Sequence, residues 1–223
     1  MEGAVVLPAA GLARRLGGIP KFLLPSRDGS SLLTRHIEAA RPASAVIVVT
    51  RPELREFVIE HVGEGVVVST VQSATMSETI HHAIAAHPDI ERFVVGLPDT
   101  AVDPMVRYPT LLEGLNDSRI VVAAYPTRLD QRGRLGALRL DGDRCLEVRD
   151  KDPSTVDWEW HWGAIGFHRA TFLACSEPDD PHVGFALARH LQAGGEAAVV
   201  ERGEEYFDLG TVEELKRYLG GSR

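Results

Sequence analysis

The sequence predicts an α/β fold: a doubly wound, mostly parallel mixed sheet with a small antiparallel β subregion. Three observations carry that prediction. Through the first half, short runs that are apolar on both faces alternate with stretches of helical periodicity, the pattern of parallel strands covered on both sides by helices. In the second half several strands follow one another through turn signals without helices between them, which is the pattern of antiparallel ribbons. Finally, 223 residues with only two cysteines, Cys145 and Cys175, allow a large core but no disulfide framework and no Cys-rich metal site.

Residues 3 to 7 read as the first strand. After a loop and the polar turn at Arg27-Asp28-Gly29, Ser30 or Ser31 caps a helix over Leu32 to Ala40. Ala45 to Thr50 is a second buried strand, and Pro52-Glu53 starts a helix that runs to about His61. Gly65 to Ser69 is the third strand and Met76 to His87 a helix that Pro88 ends. Phe93 to Leu97, the fourth strand, leads straight into Pro98-Asp99-Thr100. A helix near Met105 to Leu115 follows, then strands over Arg119 to Tyr125, Gly136 to Leu140 and Cys145 to Arg149, arranged as antiparallel ribbons. Trp158, Trp160 and Trp162 alternate with Glu159, His161 and Gly163 and continue to Phe167, giving a strand with three indoles on one face. Short helices from Ala170 and over Pro181 to Ala193, a strand over Ala197 to Glu201 and a helix over Thr211 to Leu219 complete the chain. A single domain is the simplest arrangement.

A formal net charge of −8 argues against wrapping nucleic acid or lying on an anionic membrane, because the average surface repels both. No stretch has the form of a signal peptide or the length of a membrane span, so a cytoplasmic location is expected. Self-association as a homo-oligomer is compatible with this composition. An anionic substrate requires a local basic pocket, and one stretch supplies it: Leu7-Pro-Ala-Ala-Gly-Leu-Ala-Arg-Arg-Leu-Gly-Gly-Ile-Pro-Lys21. Its small residues (Ala9, Ala10, Gly11), with Leu12, let the backbone lie against a ligand, and exposed N–H groups suit phosphate oxygens. Arg15 and Lys21 supply the charge.

The spacing excludes two familiar phosphate loops. Gly18 and Lys21 are separated by Ile19-Pro20 and followed by Phe22, unlike a Walker A loop. Ala13 stands at the second glycine position of the dinucleotide fingerprint. Asp99, directly after the fourth strand, falls at the carboxyl edge of the sheet, where open α/β sheets bind ligands. Taken one at a time, these residues have plainer readings. Asp99 can serve as a turn former, Lys151 as a solvated charge, and His81 and His82 as structural residues without the spacing of a zinc pair.

Taken together, the segments resemble the sugar-1-phosphate nucleotidylyltransferases, with glucose-1-phosphate thymidylyltransferase nearest. The resemblance begins at Leu7-Pro-Ala-Ala-Gly-x-Ala-x-Arg15 and Pro20-Lys21-Phe-Leu-Leu-Pro25. Val71-Gln72 with Met76-Ser-Glu-Thr79 stands where that family has its nucleobase loop, and Leu97-Pro-Asp99-Thr100 where it has its first metal aspartate. Gly136-Ala-Leu and Arg149-Asp150-Lys151-Asp-Pro153 correspond to its sugar-phosphate segments, Trp162-Gly-Ala-Ile-Gly166 to its sugar-contacting strand, and Tyr206-Phe-Asp208-Leu-Gly210-Thr211 to its second metal aspartate. Ala13, Arg14 and Asp150 depart from the usual glycine, threonine and glutamate.

The resemblance implies a Rossmann-like, GT-A-type nucleotidyltransferase fold, with residues 1–117 mainly binding nucleotide and 118–223 mainly binding the acceptor. It implies a nucleoside triphosphate and a sugar 1-phosphate as substrates and Mg²⁺ on Asp99 and Asp208. Arg15, Lys21 and Asp99 become the catalytic residues. Gln72 and Ser77 join the N-terminal loop in holding the nucleotide, and Gly136, Asp150, Lys151, Trp162 and Gly163 hold the acceptor. Elementary chemistry agrees: two polyanions must meet, so the barrier is largely electrostatic and positional, and no side-chain nucleophile is required. Two other readings compete: a cytidylyltransferase acting on a polyol- or methylerythritol-type phosphate, and a non-catalytic nucleotide-sugar-binding module.

Overall fold

The computed structural model describes residues 3–12, 16–43, 45–115 and 119–220. Eleven strands and seven α-helices follow one another among them: β1 (Ala4–Ala9), α1 (Leu32–Ala40), β2 (Ala45–Thr50), α2 (Arg55–Val62), β3 (Val66–Thr70), α3 (Met76–Ala86), β4 (Arg92–Gly96), β5 (Thr100–Asp103), α4 (Tyr108–Gly114), β6 (Arg119–Pro126), β7 (Gly136–Asp141), β8 (Arg144–Asp150), β9 (Trp160–His168), α5 (Arg169–Cys175), α6 (Gly184–Gln192), β10 (Glu196–Arg202), β11 (Glu205–Asp208) and α7 (Val212–Gly220).

Nine strands form one mixed sheet in the order β3-β2-β1-β4-β9-β6-β10-β8-β7. β1, β2, β3 and β4 are parallel, β9 runs against its neighbours β4 and β6, and β10 is parallel to β6. Alternate residues of β1 feed two cores. Ala4 and Val6 join Ile80 and Ile84 of α3 and Leu187 of α6 on one face; Val5 and Leu7 join Ile37 of α1, Val58 of α2 and Leu111 of α4 on the other. That two-sided burial explains why the parallel strands lack polar alternation, and it is the doubly wound arrangement that the sequence predicts.

The second half differs in detail from the expected ribbons. β7 and β8 do form an antiparallel hairpin, but β6 lies inside the main sheet between β9 and β10. β7 also pairs with β9, through Ala137↔His161 and Leu138↔Trp160, so β9, β6, β10, β8 and β7 close into a five-stranded ring. Trp158 is not in the strand: β9 begins at Trp160, because the preceding residues turn after the short 3₁₀ segment Pro153–Thr155. The three indoles consequently have different surroundings. Trp158 lies against the guanidinium groups of Arg149 and Arg139, at 5.6 and 6.0 Å, and Trp160 against Arg202 at 4.6 Å, whereas Trp162 is buried.

A separate two-stranded antiparallel ribbon, β5 with β11, was not predicted. Each of its strands has only four residues, too few for period-two patterning to stand out.

Candidate active site

The unpredicted ribbon assembles the centre of the site. β4 ends at Gly96, and the chain turns through Leu97-Pro98-Asp99, closed by the Thr100 N–H and hydroxyl donating to the Leu97 carbonyl at 3.2 and 2.8 Å. Thr100 then opens β5. In the β5–β11 ladder Asp208 lies opposite Thr100, which puts a carboxylate from near the end of the described chain beside Asp99. Arg128 fixes the ribbon from behind, donating to the Tyr206 carbonyl at 3.0 Å and to the Glu214 carboxylate of α7 at 2.8 and 3.0 Å. The last helix is capped by Thr211, whose hydroxyl accepts from Glu214 N–H at 3.2 Å, leaving Asp208 without a capping duty.

Lys21 completes the cluster. Gly17 and Gly18 turn with φ of 64° and 87°, conformations that favour glycine, and a short 3₁₀ segment, Lys21–Leu23, buries Phe22. With Phe22 anchored, Lys21 Nζ reaches Asp208 Oδ1 at 2.9 Å and Asp99 Oδ2 at 3.5 Å. Each carboxylate keeps 37% of its side chain exposed. Burial pushes the Asp99 carboxyl above its usual range, Lys21 pulls it down and Asp208 pushes it up again; the water still reaching it tempers the burial effect. Arg15, together with Ala13 and Arg14, lies outside the described residues. Ala9 and Ala10 are buried at the end of β1, while Gly11 and Leu12 are exposed.

The donor set suits a hard divalent cation. Mg²⁺ takes carboxylate oxygens, keeps several waters and completes its shell with substrate phosphates, so two adjacent, half-open carboxylates fit it. No group of three or more His, Cys, Asp or Glu side chains suited to a metal occurs among the described residues.

A second acidic site involves Asp150. Gly136 faces Asp150 across the β7–β8 hairpin, and Trp162 lies over Gly136 so closely that a Cβ there would come within 1.8 Å of the indole nitrogen. A Cβ on Gly184, the first residue of α6, would meet Asp150 Oδ2 at 2.2 Å and Trp162 Nε1 at 2.8 Å. Both glycines are therefore required by the close approach of these polar groups. Asp150 Oδ2 and Trp162 Nε1 are buried without a hydrogen-bond partner. Burial raises the Asp150 carboxyl to about 6, against a smaller lowering effect of nearby Lys151. Lys151 itself is exposed, with φ of 52°. His182, just before α6, is depressed to about 4 by burial and by Lys151.

Two of the expected contact residues, Gly163 and Ser77, are enclosed by neighbouring side chains. Gly163 is buried with the ring of Tyr125 filling the space beside it, 2.5 Å from where a Cβ would stand, so this packing alone requires glycine there. Ser77 is on the buried face of α3 with no exposed surface, and its hydroxyl has no partner. Gln72, by contrast, is exposed on the loop before α3.

No motif singles out Arg128, His182, Gly184 or His36, and Tyr206 stands in the sequence only as the opening of the Asp208 segment. Tyr206 is buried two residues before Asp208 on the same face of β11, its ring 4.3 Å from that of His161 in an edge-on contact; burial, Asp208 and Asp99 all raise its hydroxyl pKa well above the usual value. Only His36 left a signal: a polar residue at the Leu33, Ile37, Ala40 face of an amphipathic helix marks a partnered core position.

Residues 4–193 match the MobA-like NTP transferase domain. The chain belongs to this family of nucleotidyltransferases. Solved structures with the same fold include a UDP-glucose pyrophosphorylase complexed with UDP-glucose (TM-score 0.74, 18% identity, covering 96% of each chain). A protein from Bacillus anthracis assigned as a glucose-1-phosphate thymidylyltransferase, in complex with a sucrose, superposes with a TM-score of 0.77 at 16% identity, over 98% of this chain and 94% of that one. The inositol-1-phosphate CTP transferase of T. maritima gives 0.72 at 12% identity, over 96% and 91%. Among curated proteins no sequence matches. The resemblance read from the sequence thus falls within the matched family, and the nucleotidyltransferase fold is shared along nearly the whole chain. No helix of the described residues is long and apolar enough to cross a membrane.

Proposed function

We propose that this nucleotidyltransferase moves a nucleoside monophosphate from a nucleoside triphosphate to a sugar 1-phosphate, giving a nucleoside-diphosphate sugar and pyrophosphate. One observation carries the reading: Lys21, Asp99 and Asp208, far apart in sequence, converge at the carboxyl edge of the sheet with the lysine between the carboxylates. In this reading a phosphate oxygen of the acceptor attacks the α-phosphorus in line, the bond to the bridging oxygen breaks, and pyrophosphate leaves. Lys21 stabilises charge at the α-phosphate, and Arg15 holds the phosphates that depart. Asp99 and Asp208 would hold Mg²⁺, which when bound supplies positive charge to the phosphate oxygens. Ala9, Ala10, Gly11 and Leu12 offer backbone to the nucleotide phosphates, and Gln72, exposed on the loop before α3, serves the base.

On the acceptor side, Asp150 and Trp162 present one acceptor and one donor, a pair suited to a ring hydroxyl, which both gives and takes a hydrogen bond. Lys151 draws in the acceptor phosphate. In this proposal residues 1–117 serve mainly the nucleotide and 118–223 the acceptor, in a cytoplasmic enzyme able to form homo-oligomers.

The test is pyrophosphate release from each of the common nucleoside triphosphates, with Mg²⁺, across a panel of sugar 1-phosphates. Silence of the folded protein over the whole matrix would refute the reading. A second reading, a cytidylyltransferase acting on a polyol phosphate, takes support from the fold shared with the inositol-1-phosphate CTP transferase. Turnover confined to CTP with a non-sugar phosphate, identified by product mass, would establish it instead.

A further inference from the structure

His36 is a polar side chain in an otherwise apolar helix face, 2% exposed beside Leu32, Leu33 and Ile37. Its Nε2 lies 3.1 Å from the Thr100 carbonyl and its Nδ1 2.6 Å from the Tyr108 hydroxyl. A carbonyl can only accept, so Nε2 carries the proton; the neutral ring then has a bare Nδ1, which accepts from the tyrosine. Both contacts lead to the turn that carries Asp99. Thr100 follows Asp99, closes the turn onto Leu97 and stands opposite Asp208 in the ladder. The Tyr108 hydroxyl lies against the end of β4, 2.1 Å from where a Cβ on Gly96 would stand.

We propose that His36 is a positioning residue for the reaction: by donating Nε2–H to the Thr100 carbonyl it fixes the backbone between the two carboxylates, and with it their spacing. The inference rests on the assignment of Asp99 and Asp208 to the metal and phosphates. Packing alone does not call for this residue, since a leucine would fill the same helix face without burying two polar atoms that need partners. The ring spans a gap that an aliphatic side chain leaves unbridged, from the hydroxyl on α4 to the backbone of β5.

The two ring contacts separate by substitution. His36→Gln carries an amide N–H to the position of Nε2 and keeps the donor to Thr100. His36→Asn and His36→Leu both lose that donor, so whichever of them folds serves the comparison. Tyr108→Phe removes the partner of Nδ1 and leaves the Thr100 contact in place. Mn²⁺ affinity by electron paramagnetic resonance, kcat and KM for the triphosphate, and urea unfolding are measured on all four.

Loss of the donor is expected to lower kcat and Mn²⁺ affinity about tenfold or more, the usual scale for a group that orients a ligand, with KM changed less than kcat. His36→Gln should restore both towards wild type. Tyr108→Phe should lower stability yet leave kcat and Mn²⁺ affinity near wild type. The inference fails if the donor-lacking variant binds Mn²⁺ as His36→Gln does, or if Tyr108→Phe loses kcat and Mn²⁺ affinity to the same extent. If the wild-type protein turned over no substrate, the proposed function would fall, but the Mn²⁺ comparison would still decide the role of His36.

Discussion

Burial raises the carboxyl pKa of Asp99 and of Asp150 alike, and the two acidic parts of the site differ in what partners the charge. Asp99 and Asp208 stay partly open to water and share a protein cation, Lys21, so their charge is compensated before any ligand arrives. Asp150 is set against the buried indole of Trp162 and the first residue of α6, with one oxygen unpartnered and its carboxyl raised to about 6. A compensated, wet pair suits groups that exchange partners, as a metal and phosphates require. A carboxylate left with an unpartnered oxygen costs stability and persists where it makes a contact the free protein lacks. In the proposed function, the first cluster handles charge and the second reads the shape of the acceptor.

The sharpest break on the first side is Asp99→Asn. It removes a formal charge from the Lys21 cluster, and turnover should fall by roughly a thousandfold or more, the scale of lost electrostatic stabilisation at a reacting centre, while circular dichroism stays native. Activity within tenfold of wild type would exclude Asp99 as an essential ligand.

On the second side, Asp150→Asn tests whether burial strains the free protein. Because the folded pKa lies above the unfolded one, the folded state holds its proton more tightly, and stability falls as pH rises from about 4 to about 6. Removing the charge should therefore stabilise the protein at pH 7 by roughly 1–3 kcal/mol, from a shift of about two units at 1.36 kcal/mol each, and the gain should vanish below pH 4. KM for the acceptor should rise more than KM for the triphosphate. Urea unfolding at several pH values and initial rates measure both, and equal stability of the two proteins at pH 7 would remove the contrast.

His36 should show the reverse sign. Burial holds it at about 4, below its unfolded value, so its contribution is complete at neutral pH and lost as pH falls from about 6.5 through 4. In His36→Leu, which removes the titrating ring, the acid-side slope of stability should flatten.

Gly136→Ala would drive a methyl into the indole of Trp162. Overpacking of this kind costs about 1–3 kcal/mol, and acceptor KM should suffer more than nucleotide KM if Gly136 serves only the second part. The smallest expected effect is that of Ser77→Ala. Its hydroxyl is buried and unpartnered, so removal should leave stability unchanged or raised by up to about 1 kcal/mol and leave KM for every triphosphate intact. A base-dependent rise in KM would restore Ser77 to the nucleotide site.

Much of this was legible in the chain itself. The buried β1, β2 and β4 announce themselves as unbroken apolar runs, and α1 spans the predicted residues with Ser31 as its cap. Lys21 follows from the cationic, small-residue loop after β1, and Asp99 from its place just after β4, where the sheet leaves ligands room. Asp208 was reached only through resemblance, because nothing local distinguishes an aspartate before Leu-Gly-Thr from a helix-capping one.

Sequence by itself determined the helices and the longer strands, though not the four-residue β5 and β11, since periodicity and turn chemistry are local. Tertiary structure alone decided that four residues after Asp99 pair with four before Leu209, that Tyr125 fills the space at Gly163, and that His36 reaches the turn from another helix. Those outcomes depend on register and on side chains meeting across distant elements, and neither leaves a periodic trace in the chain.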